Sequence, residues 1–134
     1  MIKQLSVFVE NRPGNIMRVT SALNEANINI RAIASYDTPE FGILRLVVDQ
    51  NEEARDFLTH KGFVVRIQNI VGVALKDERG SLNHMLEVLK NGNINIDYIY
   101  SFVLRDDKSP VIVFHADDCE RAEQLLKDAG LVVE

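Results

Sequence analysis

The stretch Asn27-Ile28-Asn29-Ile30 occurs a second time, unchanged, as Asn93-Ile94-Asn95-Ile96, 66 residues further along the chain. The same offset aligns flanking residues without a gap: Gly14 with Gly80, Leu23 with Leu89, Ile33 with Ile99 and Ser35 with Ser101. Later residues align after two extra residues in the second copy, placed most simply in Arg105-Asp106-Asp107-Lys108. A self-similar period of this kind indicates a duplicated structural unit. The chain of 134 residues is therefore predicted to hold two units, residues 1–68 and residues 69–134.

The composition is typical of a soluble globular protein, and it narrows the classes of partner. Fifteen basic residues against twenty acidic ones give a net charge of −5, which disfavours binding to a phosphate backbone. The single cysteine, Cys119, excludes an intramolecular disulfide. The first residues alternate between apolar and polar, and no apolar run approaches the length of a membrane span. We expect a cytoplasmic protein with neither nucleic acid nor membrane as a partner.

Hydrophobic periodicity predicts the same order of elements in both units. In the first unit it predicts strands over 2–10, 28–37, 43–48 and 63–66, a turn over 37–40, a helix after Gly14 and a helix from Glu52 to Gly62. In the second it predicts strands over 72–75, 94–103, 110–116 and 131–133, and helices over 80–90 and 120–129. Each unit therefore reads βαββαβ. The predicted class is α+β, with two tandem ferredoxin-like units whose antiparallel sheets carry both helices on one face.

Two finer expectations follow from residue spacing. Asp49 and Glu52, like Asp117 and Glu120, have the spacing of a capping box at the start of the second helix in each unit. Strand alternation predicts that one set of apolar residues faces away from the helices: Phe8, Ile33, Val47, Ala74, Ile99 and Val113. Scattered surface hydrophobes are normal, but a contiguous apolar sheet face marks an interface. On this second reading we expect a homodimer.

The polar residues give no sign of a catalytic or metal centre. None of the histidines, His60, His84 and His115, has a carboxylate, a cysteine or a second histidine at ligand spacing. No Ser/His/Asp order or nucleophile elbow is present in the sequence. We therefore expect no catalytic residue, no metal ligand, no cofactor and no enzymatic activity.

The strongest candidate for a binding site is the glycine loop before the first helix of each unit. These loops are Asn11-Arg12-Pro13-Gly14 and Asp77-Glu78-Arg79-Gly80. A helix N-terminus offers free backbone N–H groups and a positive dipole end, which attract a carboxylate or a phosphate. An isolated glycine loop is more often a simple turn, but this one occurs twice and is paired each time with a strand asparagine, Asn29 or Asn95. An amide can accept from an ammonium and donate to a carboxylate, and a free amino acid carries both groups.

The first loop, the amphipathic helix and Ala26-Asn27-Ile28-Asn29-Ile30 resemble the ACT domain. The resemblance is to the serine-sensing form at the end of phosphoglycerate dehydrogenases, and it covers the whole chain as two tandem copies. It implies that an amino acid binds between ACT units, against the loop. Asn11 and Asn29 match the two asparagines that contact the ligand in that family, and Gly14 matches the glycine that gives it room. Val9 stands where the serine-sensing form has a histidine.

The resemblance and the loop pattern together give a set of expected ligand-binding residues. They are Asn11, Arg12, Pro13, Gly14, Asn15, Ile16, Asn29 and Ile30 in the first unit, and Asp77, Gly80, Ser81, Leu82 and Asn95 in the second. We expect the first loop to bind more strongly, because Pro13 fixes the backbone of its first turn. In the second loop Arg79 replaces that proline, and Asp77 and Glu78 add negative charge.

The function expected from the sequence is that of a sensor without catalytic activity. It binds a free amino acid between ACT units and regulates a separate enzyme of amino-acid metabolism or a transporter. The alternative is an acylphosphatase-like small hydrolase that uses Arg12 to hold a phosphate. That fold works as one unit, so the alternative does not explain the duplication.

Overall fold

A computed structural model describes residues 1–37, 41–103 and 110–134. Its elements are β1 (Ile2–Glu10), α1 (Asn15–Glu25), β2 (Ile30–Asp37), β3 (Phe41–Val48), α2 (Asn51–His60), β4 (Val64–Ala74), α3 (Ser81–Asn91), β5 (Ile96–Val103), β6 (Pro110–Ala116), α4 (Cys119–Asp128) and β7 (Val132–Val133). The predicted insertion at residues 105–108 and most of the predicted turn, residues 38–40, lie outside the described residues. No helix in the described ranges is long and apolar enough to cross a membrane.

The chain divides into two compact units. We call Lys3–Gln68 the first unit, and Asn69–Glu134 together with Met1–Ile2 the second unit. In the first unit the strand order is β2-β3-β1-β4, and β3 pairs antiparallel with both β1 and β2. In the second unit the order is β5-β6-β4-β7, with antiparallel pairs throughout. The predicted α+β class with ferredoxin-like βαββαβ units is confirmed.

Each unit has its own hydrophobic core between one sheet face and two helices. In the first unit the core contains Leu5, Val7, Val9, Leu44, Leu46 and Val48 from the strands and Val19, Ala22, Leu23, Ala54 and Leu58 from the helices. In the second unit it contains Val71, Val73, Phe114 and Ala116 from the strands and Met85, Leu89, Ala122 and Leu126 from the helices. Burial of one such large side chain stabilises the fold by about 1.5–3 kcal/mol. Burial of these side chains therefore explains the spacing of the apolar residues along the helices.

Strand β4 differs from the prediction. Two separate strands over 63–66 and 72–75 were expected, but Val64–Ala74 is a single strand of 11 residues. The polar pair Gln68 and Asn69 interrupts the apolar pattern, although neither residue turns the chain. No glycine or proline occurs between Phe63 and Gly72, so nothing in the covalent chemistry forces a break.

The predicted faces of β2 and β5 are wrong in part, because both strands contain a bulge. The register shifts between Ile30 and Ala32, and between Ile96 and Tyr98. Beyond the bulges Ile33 pairs with Leu46 and Ile99 pairs with Phe114, and both partners belong to the cores under the helices. Directly opposed residues share a sheet face. Ile33 and Ile99 therefore lie on the helix-covered face, at its edge.

Other residues of the predicted face lie where they were expected. Val113 packs with Ile70 and Val111 in a separate cluster outside the helix-covered core of the second unit. Val47 alternates with Leu46 and Val48, which both face the helices of the first unit. An extra residue in a strand reverses the side of every residue that follows it, and alternation alone cannot reveal such a shift.

The predicted capping boxes at Asp49 and Asp117 are wrong. Helix α2 is preceded by Gln50 and helix α4 by Asp118, so neither Asp49 nor Asp117 is the capping residue. In α4 the Asp118 carboxylate accepts a hydrogen bond from the backbone N–H of Arg121 at 3.0 Å. Asp49 and Asp117 instead bind the start of the second strand of their units, as described below.

Candidate ligand-binding site

The first loop is built so that helix α1 begins without a side-chain cap. Gly14 immediately precedes the helix with φ +84°, a left-handed conformation that favours glycine, and a glycine has no side chain to cap the first turn. The amide Nδ2 of Asn15 turns back and donates to the Glu10 carbonyl at 2.8 Å. A helix N-terminus whose preceding residue provides no side-chain cap is a place where an anion can bind the first backbone N–H groups.

The second loop has the same backbone despite its different residues. Gly80 has φ +91°, and helix α3 also begins without a side-chain cap. The N–H of Glu78 donates to Lys76 and that of Ser81 to Glu78, as Arg12 donates to Glu10 in the first loop. Pro13 is therefore not needed for this conformation. Its expected contribution is the lower entropy of a residue whose φ is already fixed.

A cavity of about 80 Å³ lies beside the first loop. It is lined on the loop side by Asn11, Arg12 and Ile16 and on the strand side by Ser35, Tyr36 and Gly42, among others. Three of the predicted residues, Asn11, Arg12 and Ile16, are thus brought together with two polar strand residues that sequence reasoning missed, whereas Gly14 lines a different cavity. The recurrence of Ser35 as Ser101 was the available signal for one of them.

The charged residue of this loop already has a partner. The Nε of Arg12 lies 3.0 Å from Oε2 of Glu10, and both side chains are largely exposed. This ion pair occupies the guanidinium group that the acylphosphatase-like alternative assigns to a phosphate. An exposed pair of this kind is weak, so it leaves Arg12 able to exchange partners.

Asn29 does not share the cavity of its own unit's loop. Glu10, at the loop end, pairs with Phe41, whereas Ile30, next to Asn29, pairs with Val48. These positions are seven residues apart on β3, or about 24 Å at 3.4 Å per residue. In the second unit Asn95 lines a different, wide groove of about 400 Å³ with Ile96 and Asp117.

The repeated motif has a structural role that the sequence did not predict. Asn27 and Asn93 adopt left-handed conformations, with φ of 57° and 56°, where the chain leaves its helix. Next, the backbone N–H of Asn29 donates to Asp49 Oδ1 at 3.0 Å, and the N–H of Asp49 returns a bond to the Asn29 carbonyl at 3.2 Å. Asp117 makes the same two bonds with Asn95, both at 3.1 Å. We call this arrangement the aspartate clasp.

The clasp uses only the backbone of Asn29. Its side-chain amide makes no hydrogen bond with any residue in the described ranges, and it is exposed. A short polar side chain held in place through its own backbone, with its amide unused, is well suited to contact a ligand.

The remaining predicted residues fall into different environments. Pro13 is exposed, and Asn15 supports the loop as described above. Ile30 packs against the core of the first unit. In the second unit Ser81 is half-buried at the first position of α3, and Leu82 is 43% exposed. Ile30 therefore contributes to the core and not to a ligand contact, whereas Leu82 is exposed enough for a contact.

Two βαββαβ units in one chain, each with an uncapped helix behind a glycine loop, define a tandem ferredoxin-like protein. The chain belongs to the ACT domain pair family, whose model matches residues 1–133. The resemblance expected from the loop and the asparagine motif is thereby confirmed. No curated protein matches the chain in a sequence comparison.

Solved structures extend this result to the fold. Protein BT0572 from Bacteroides thetaiotaomicron is 30% identical and superimposes with a TM-score of 0.91, over 99% of this chain and 91% of that one. The regulatory subunit of aspartate kinase from Thermus thermophilus is 16% identical with a TM-score of 0.63, over 95% and 91% of the two chains. The corresponding subunit from Thermus flavus is 18% identical with a TM-score of 0.62 and the same coverage. The Thermus similarities, at this low identity, show the fold alone.

Proposed function

We propose that this chain is a regulatory protein without catalytic activity, which binds a free amino acid and acts on a separate enzyme of amino-acid metabolism or a transporter. Membership of the ACT domain pair family supports the proposal. In the two Thermus proteins this fold forms a regulatory subunit of an enzyme. The observations that carry the proposal are the start of α1 at Gly14, which has no side-chain cap, and the amide of Asn29, which makes no hydrogen bond with the described residues.

The chemistry of the site fits the two charged groups of an amino acid. The N–H groups at the start of α1 and the amide of Asn11 suit the ligand carboxylate, since each can donate to it. The amide of Asn29 suits both groups, because its Nδ2 can donate to the carboxylate and its oxygen can accept from the ammonium, and no other residue in the described ranges occupies it. Backbone and amide contacts of this kind recognise the main-chain part of an amino acid and leave its side chain to other residues.

We further propose that the protein works as a homodimer. Asn11 and Asn29 of one unit are about 24 Å apart along β3, so one amino acid cannot touch both within that unit. A second protomer can supply the missing asparagine.

The edges of the sheets are the surfaces we propose for this association. Strands β2 and β5 each lie at the end of the strand order in their unit. Each exposes an isoleucine at the same repeat position, Ile33 at 50% and Ile99 at 42%. Ile16 and Leu82, also equivalent, are 45% and 43% exposed on the adjoining helices. Exposed edge strands with apolar side chains favour pairing with another chain.

A thermal-shift measurement against each of the twenty amino acids tests the binding proposal. A ligand at 100 times its Kd adds about 2.7 kcal/mol to the free energy of unfolding. For a chain of this size the midpoint then rises by roughly 8–16 °C. No shift with any amino acid would refute the proposal.

Calorimetry with the identified amino acid then tests the site. Asn11→Ala removes a hydrogen bond to a charged group, so the affinity should fall about ten- to a hundredfold. Asp77→Ala is the matched variant in the second loop, and it should change the affinity much less.

Sedimentation at micromolar concentration tests the dimer. Ile33→Lys should shift the wild-type dimer towards monomer, because it places a charge in the proposed contact. Val64→Lys is the control, since Val64 is 63% exposed on a strand outside that surface. A monomeric wild-type protein, or equal effects of the two variants, would contradict the proposed association.

A further inference from the structure

The two strand asparagines differ in how their side chains are engaged. The exposed Arg31 lies two residues after Asn29, and the amide of Asn29 makes no hydrogen bond with the described part of the chain. At the equivalent place in the second unit, Nδ2 of Asn95 donates to Oδ1 of Asp97 at 3.5 Å. The donor of the second asparagine therefore already has an anionic partner.

Asp97 is in turn held by a histidine across the sheet. Its Oδ2 lies 2.7 Å from Nδ1 of His115, and the side chains are 44% and 30% exposed. The bulge in β5 makes this contact possible, because it precedes the pair Tyr98 and His115 and leaves Asp97 outside the ladder. The rings of Tyr98 and His115 stack at 5.6 Å with an interplanar angle of 14°, which fixes the imidazole.

None of these side chains has a counterpart in the first unit. Position by position, Asp97, Tyr98 and His115 correspond to Arg31, Ala32 and Val47. A carboxylate and an imidazole have replaced a guanidinium and an isopropyl group. The two strand sites thus share the aspartate clasp and differ in the chemistry around the asparagine.

The charge beside the two asparagines differs as well. The loops are each balanced, since residues 10–13 contain one arginine and one glutamate and residues 76–79 contain two acidic and two basic residues. The difference lies at the strand positions, where Arg31 follows Asn29 at two residues and Asp97 follows Asn95 at two residues. A ligand carboxylate is therefore favoured near Asn29 and disfavoured near Asn95.

We infer that each chain binds one amino acid, through the residues of its first unit, and that the Asn95–Asp97–His115 network closes the equivalent position of the second. This inference rests on the proposed function. In this network the Nδ2 of Asn95 already donates to Asp97. The Asp97 carboxylate also lies where the carboxylate of a ligand would bind. Asp97 and His115 are thus specificity-determining residues that restrict the chain to one ligand.

Isothermal titration calorimetry of the full-length protein with the amino acid found by thermal shift tests the inference. The expected stoichiometry is one ligand per chain. Asn29→Ala should lower the affinity at least tenfold, and the matched variant Asn95→Ala should leave both affinity and stoichiometry unchanged. Two ligands per chain, or equal losses from the two asparagine variants, would overturn the inference and leave the proposed function standing.

A double variant tests whether the Asn95–Asp97–His115 network is what closes the binding position of the second unit. Asp97→Arg combined with His115→Val restores the residue types of the first unit and releases the Asn95 amide. A second binding event should then appear, and the stoichiometry should rise above one. A well-folded double variant that still binds one ligand per chain would overturn the role of the network. Failure of the wild-type protein to bind any amino acid would refute the proposed function and this inference together.

Discussion

The aspartate clasp offers a test in which the chain contains its own control. Asp49→Ala removes the carboxylate that accepts from the N–H of Asn29, and Asp117→Ala removes the same bond to Asn95. Both bonds are exposed, so water can solvate the N–H that is left. Each substitution should therefore cost about 1 kcal/mol, less than the roughly 1.5–3 kcal/mol of a bond to a charged group that water cannot replace. For a chain of this length the midpoint should fall by roughly 3–6 °C.

The two clasp variants should differ in ligand binding. Without Asp49 the backbone of Asn29 loses one of its two tethers, and its amide loses orientation, so the affinity for the amino acid should fall. Loss of Asp117 should leave the affinity unchanged if Asn95 is closed by its own network. Chemical denaturation followed by circular dichroism measures the stability, and calorimetry measures the affinity. Equal stability losses with equal affinity losses would refute the reasoning about unequal sites, whereas a negligible stability change in both would refute the clasp.

Three further outcomes are expected. Gly14→Ala should lower the free energy of unfolding by about 1–2 kcal/mol, because alanine is strained at a φ of +84°. No atom within 4 Å would clash with the added Cβ, so the loss should not exceed this strain, and Gly80→Ala should give the same loss in denaturant titrations. Hydrogen bonding from Lys127 and the charge of the amino terminus lower the pKa of Glu123 below its ordinary value of 4.5. Glu123→Gln should therefore lower the stability at neutral pH, and this loss should vanish as the pH falls below 4.5. Thermal melts of both proteins at several pH values measure it. Leu58→Ala should cost about 2–5 kcal/mol, because the side chain is fully buried, and a smaller loss by chemical denaturation would mean that the core of the first unit relaxes around the cavity.

The order of elements was predictable because each depends on residues close together in sequence. Alternation in β1 and the apolar stripe of α1 gave those elements nearly to the residue. The bulges in β2 and β5 were not predictable, because one extra residue leaves the local composition unchanged and reverses the sides of Ile33 and Ile99. The continuity of β4 was missed for a related reason, since polar residues in an extended segment resemble a break.

The features of the candidate site can also be divided into those that were predictable from nearby residues and those that were not. The loop before α1 was predictable because a glycine, a proline and a helix start lie within a few residues of each other. The clasp was missed, since Asp49 lies 20 residues from Asn29 and its spacing to Glu52 suggested a cap instead. The carboxylate that contacts His115 lies 18 residues away in the sequence, and only the pairing of β5 with β6 brings Asp97 to it. Partners that meet across a sheet depend on register, which the sequence of one strand does not contain.

The duplication within one chain has a consequence for how such a protein can change over generations. In an assembly of identical single units, every substitution alters all sites at once, so a site cannot be abandoned in one place and kept in another. In this chain the replacement of Arg31 and Val47 by Asp97 and His115 affects one copy only. A duplication within one chain allows asymmetry to be inherited, because a substitution in one half leaves the other half unchanged.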